Sequence, residues 1–94
     1  MSEQLSIVDC RPEVLAFAIR MEEKLRTKDA EYPRSWREDT LEGLFAHLDE
    51  EVIELDTAIG AVSNGDMQKV IGEAVDVANM AMMIADTAES LKTK

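Results

Sequence analysis

Two carboxylate pairs constrain this chain more than any other feature. Glu51/Glu54 and Glu73/Asp76 each have i,i+3 spacing, and they lie on either side of the turn signal Ser63-Asn64-Gly65-Asp66. If both flanks are helical, each pair projects from one face, with about 4.5 Å between its members along the axis. In an antiparallel hairpin, residues at one level share a constant index sum. Glu54 with Glu73 and Glu51 with Asp76 both give 127, and the mid-point falls inside the turn signal. The stretch from His47 to Ala85 therefore brings four acidic side chains to one level of a helical hairpin. Such a cluster requires a positive partner.

The rest of the chain reads as helix. Pro12 suits a first helical turn, with Asp9 as its cap, and Val14, Phe17, Ala18, Met21 and Leu25 recur at three- and four-residue steps. This amphipathic helix should end near Thr27 or Lys28. A charged connector broken by Pro33 follows, from Lys28 to Asp39, and carries the only Trp and the only Tyr. Asp39 or Thr40 can cap the next helix, and Asp39 with Glu42 has capping-box spacing. Leu41, Leu44, Phe45, Leu48, Val52, Leu55 and Ile59 then form one apolar stripe, with His47, Glu51, Glu54 and Ala58 along its edge. Asp66 can cap a last helix running to about Leu91. That helix is apolar almost all round between Val70 and Ala85, which predicts burial on every side.

The expected fold is thus all-α: a three-helix chain whose last two helices form an antiparallel hairpin. In a chain of 94 residues, full burial of one helix calls for a second subunit, giving a homodimer or tetramer around a shared four-helix core. Residues 1–94 read as a single domain, with 1–10 expected to be flexible.

Charge limits the partners. Twenty acidic residues against ten basic ones leave a net charge of −10, which repels nucleic acid backbones and anionic membranes. Neither is expected as a partner. No apolar run approaches the roughly 18 residues of a membrane span, and no signal-peptide core is present. The single cysteine, Cys10, cannot form an internal disulfide and is read as an incidental thiol. The expected location is cytoplasmic.

Glu73 and Asp76 lie in the middle of the most apolar helix, where an ionised carboxylate must be paired, protonated or metal-bound. Two readings follow, a metal site and salt bridges to arginines from the first helix or the connector. Four oxygen donors, with no cysteine nearby and a lone histidine, favour Mg²⁺ or Mn²⁺ over zinc. The Glu-x-x-His repeats of ferritin-type di-iron sites are absent from the sequence. Hard cations suit phosphoanhydride hydrolysis, since they polarise phosphorus and activate water.

The pattern Glu50-Glu51-x-x-Glu54, then Glu73-x-x-Asp76 after eighteen residues, resembles the motif of MazG-like all-α nucleoside triphosphate pyrophosphohydrolases. The resemblance covers roughly His47 to Asp86. It implies cleavage of a ribo- or deoxynucleoside triphosphate to the monophosphate and pyrophosphate, as in clearance of unwanted nucleotides. It also implies that Glu51, Glu54, Glu73 and Asp76 hold Mg²⁺ and are the catalytic set, and that subunits associate as dimers or tetramers. Phosphoribosyl-ATP pyrophosphohydrolase activity ranks lower, because the histidine usual after the second motif is missing from Asp76-Val-Ala-Asn-Met-Ala.

Other residues each carry two readings. Trp36, with Tyr32, can stack on a nucleobase or cap the end of the bundle. Arg34, Arg37 and Lys28 can meet phosphates or remain solvated charges. Lys69 can reach a phosphate or neutralise Glu73, and Asn79 can bind substrate or bond across a dimer core. Glu50 and His47 are read as groups that assist the ligands or as surface residues. Met80, Met82 and Met83 read as adaptable packing, and as walls of a base pocket in the second reading. The competing function is a non-catalytic acidic helical module that binds divalent cations or a basic partner.

Overall fold

The structure, a computed structural model, describes residues 4–29, 35–62 and 65–92. Among them every regular element is helical. The three long helices are α1, Pro12–Lys28; α2, Leu41–Gly60; and α3, Met67–Lys92. Two short turns of 3-10 helix, Ile7–Asp9 and Ser35–Glu38, precede α1 and α2. α3 is the central element, since α2, α1 and the Ser35–Glu38 turn all pack against it. No helix among the described residues is long and apolar enough to cross a membrane.

The helix starts follow local chemistry, with two departures from expectation. Pro12 occupies the first turn of α1, but Asp9 does not cap it. The Asp9 carboxylate instead accepts from the Ser6 backbone N–H and hydroxyl, at 3.1 and 2.9 Å, closing the turn before α1. At α2, Thr40 is the cap, its hydroxyl accepting from the Gly43 N–H at 2.9 Å. The Asp39 carboxylate accepts from the Thr40 N–H at 2.7 Å, so the Asp39–Glu42 box does not form. Gly43 permits this arrangement, because a Cβ there would collide with the Asp39 carboxylate. Gly65 takes a positive φ of 84°, a conformation that favours glycine, and Asp66 then accepts from the Lys69 N–H at 3.1 Å to start α3.

Within one chain the core is small. Leu44, Ala58 and Val75 are its buried apolar side chains among the described residues. The apolar stripe of α2 divides. Leu44 is buried and Leu41, Leu48 and Leu55 are half-buried, whereas Phe45, Val52 and Ile59 are 56%, 45% and 51% exposed. α3 is also not covered all round by its own chain, since Ala81 and Ala85 are exposed.

Candidate functional site

Glu51 and Glu54 lie one turn apart on α2, at the edge of its buried face. Glu73 is buried on α3. Where the helices meet, one carboxylate oxygen from each of Glu51, Glu54 and Glu73 lies within 4.8 Å of the others. Repulsion between like charges this close is severe, and Glu51 carries its mark. Burial, first, then a hydrogen bond with the Glu54 carboxylate and the charges of Glu54, Asp76 and Glu73 push its pKa up from 4.5 to about 7. Glu51 Oε2 is buried and has no hydrogen-bond partner among the described residues.

Asp76, the fourth expected member, stands beside this group on α3 but outside the tight cluster. Its Oδ1 meets the Lys24 ammonium of α1 at 3.2 Å, with side chains 20% and 36% exposed respectively. Among the described residues an ion pair is thus present at Asp76, with a lysine of α1 where the alternative to metal binding expected an arginine. An all-oxygen set with an unpartnered, buried Glu51 Oε2 fits the donor chemistry of a hard divalent cation.

Two clefts flank the carboxylates. One, of about 380 Å³, is lined by Glu54, Glu73, Lys69 and Asp66 with Ile53 and Ala61. The larger, of about 600 Å³, lies between the end of α1, the Ser35–Glu38 turn, α2 and α3. Glu51 lies at its acidic side, Leu25, Leu44, Met80 and Met83 give it apolar walls, and Trp36 adds an aromatic one. Lys28, His47 and Glu50 also border it. A smaller recess of about 80 Å³ joins Lys24, Lys28, Glu51, Asp76 and Asn79.

The remaining candidates divide by location. Trp36 Nε1 donates to Asp86 Oδ2 at 2.9 Å. Arg37 is held by the same Asp86 through its Nε and Nη2, which raises the pKa of the guanidinium by hydrogen bonding and charge. Arg37 thus has an acidic partner on α3. Asn79 is only 4% exposed. Its Nδ2 donates to the Met21 carbonyl at 3.3 Å, while its Oδ1 has no partner among the described residues. His47 Nδ1 and Glu50 Oε2 are 3.9 Å apart on the exposed side of α2. Tyr32 and Arg34 lie outside the described residues.

Sequence reasoning passed over Lys24 and Asp86. Lys24 borders the apolar face of α1 much as Glu51 borders that of α2, and this position was the available signal. Asp86 is a charge within an apolar helix, open to the same argument that singled out Glu73. Comparison with protein-family models, curated proteins and solved structures finds no match.

Proposed function

We propose that this chain is a Mg²⁺-dependent nucleoside triphosphate pyrophosphohydrolase of the MazG-like kind, with Mn²⁺ able to substitute. It releases the monophosphate and pyrophosphate from ribo- or deoxynucleoside triphosphates and works in nucleotide clearance in the cytoplasm. The observation that carries this reading is the meeting of Glu51, Glu54 and Glu73 oxygens within 4.8 Å around a buried, unpartnered Glu51 Oε2. Glu51, Glu54, Glu73 and Asp76 would hold the cation, which supplies charge neutralisation at the phosphates and activation of water. The larger cleft accommodates a base against Trp36, Met80 and Met83, with Lys28 near the phosphates. Lys69 borders the carboxylates from the other side.

An antiparallel course for α2 and α3 belongs to this reading. It is supported by Ala61 and Asp66, from the two sides of the turn, sharing a cleft with Glu54 and Glu73. So does association into a homodimer or tetramer. The small core and the outward Phe45, Val52 and Ile59 support a second subunit packing on α2.

The test is pyrophosphate release from a panel of nucleoside triphosphates with Mg²⁺ or EDTA. Mg²⁺-dependent release, lost in Glu54→Ala and Asp76→Ala, is the expected result. Full activity in both variants would overturn the assignment. The Lys24–Asp76 bridge favours a second reading, an acidic module whose charges are matched by lysines or a basic partner. That reading predicts no turnover, with no rise in melting temperature with Mg²⁺ where the partner is basic and a rise where the module binds divalent cations.

A further inference from the structure

Lys24 is the lysine that pairs with one of the four carboxylates, Asp76. Its ammonium reaches from α1 to Asp76 Oδ1 at 3.2 Å and lines the recess where Glu51 and Asn79 also lie. Among the described residues no lysine forms an ion pair with Glu51, Glu54 or Glu73; Lys28 lines the same recess as Lys24, and Lys69 borders Glu54 and Glu73 from the opposite cleft. Asp76 therefore has two possible partners, a lysine on another helix and a divalent cation beside Glu51. It cannot give the same oxygen fully to both.

We propose that Lys24 is a built-in competitor for the metal, occupying Asp76 in the metal-free chain and giving way when a divalent cation binds. The inference rests on the metal centre proposed above, and it concerns affinity more than chemistry. An ammonium at Asp76 stabilises the metal-free protein, because it offsets part of the repulsion between the acidic groups. Its loss on metal binding costs what the pair contributed, so the apparent metal affinity falls by that amount. For a pair exposed to this degree, the penalty corresponds to about a two- to fivefold weaker affinity. A lysine whose role was only packing would leave that affinity unchanged.

The experiment is titration of the full chain with Mn²⁺ alone, followed by calorimetry, for wild type, Lys24→Met and Lys24→Arg. Lys92→Met controls for the loss of one positive charge, since Lys92 lies in an exposed contact with Glu89 at 3.4 Å. Lys24→Met should bind Mn²⁺ about two- to fivefold more tightly than wild type. Lys24→Arg should stay near wild type and Lys92→Met should change less than Lys24→Met. Melting gives an independent readout: Lys24→Met should melt below wild type without metal and gain more from saturating Mn²⁺. Equal losses with and without Mn²⁺ would show a packing role and overturn the proposal. So would unchanged or weaker Mn²⁺ binding by Lys24→Met. Absence of saturable Mn²⁺ binding in every form would overturn the metal centre together with the inference. None of these readouts uses turnover, so failure of the pyrophosphohydrolase reading is scored separately by product formation.

Discussion

Arg37 and Asp86, forty-nine residues apart in sequence, are joined by two parallel hydrogen bonds of 2.6 and 2.8 Å. The forked guanidinium matches both carboxylate oxygens, and Trp36 adds its indole N–H to one of them. One acidic side chain on α3 thus fixes two consecutive residues of the turn before α2. Trp36 is thereby held at the wall of the larger cleft, with its indole N–H already engaged.

This clamp predicts that Trp36 is a reporter of its own anchoring. Asp86→Ala should release the turn, lower the melting temperature and move the emission of the lone tryptophan to longer wavelength. Trp36→Phe removes one donor to a charged acceptor and should cost about 1.5 kcal/mol in chemical denaturation. If Asp86→Ala left the emission unchanged, the turn would be held by other contacts.

Glu51 gives the metal-free protein a specific pH dependence. In the unfolded chain it titrates near 4.5, whereas burial and the adjacent carboxylates raise it to about 7 in the folded state. Between those values the folded chain keeps a proton that the unfolded chain has lost. The stability contributed by this group is therefore complete below the unfolded value and is lost as pH rises through about 7. Urea melts in EDTA should show wild type losing stability from about pH 5 to about pH 8, and Glu51→Gln losing less. If Glu51 is a ligand of the proposed cation it must be ionised, so Mn²⁺ binding at about pH 6 should release close to one proton, and almost none at about pH 8. Calorimetry in buffers of different ionisation enthalpy measures that number directly.

How far these features were legible depends on their range along the chain. The Glu51, Glu54 and Glu73 cluster follows from helical period and a turn, both local properties, and Asp66 likewise revealed the start of α3. Asp9 was misread as a cap and the Asp39–Glu42 box does not form, because each aspartate has a closer backbone donor, at Ser6 and Thr40, although Thr40 was one of the two caps expected for α2. Gly43 was the clue at α2, since a Cβ there would meet the Asp39 carboxylate in its present position. The Lys24–Asp76 and Arg37–Asp86 links depend on how α1 and the connector lie across α3. That crossing is set by packing between elements distant in sequence, which periodicity does not encode. The stripe on α2 was visible as apolar, yet nothing in its spacing separated Leu44, which faces its own chain, from Phe45, which does not.

That outward part of α2 carries the last prediction. Phe45, Val52 and Ile59 recur every seven residues, so they lie along a nearly straight line on the helix, apart from the buried Leu44 and Ala58. A line of large apolar groups in water is unfavourable, and each fully covered side chain of this kind gains about 1.5–3 kcal/mol. A second copy of α2 or α3 would supply that cover and enlarge a core that holds few buried apolar groups in one chain. Val52→Glu places a charge at the middle of the line, close to Asp49 and Asp56, which are both exposed. Wild type should sediment as a dimer or larger species, and Val52→Glu should shift toward the monomer with helical content largely kept. Ala46→Glu, an exposed change on another side of α2, should leave the oligomer intact. Wild type sedimenting as a monomer at every concentration would leave Phe45, Val52 and Ile59 exposed to water and remove the case for a shared core.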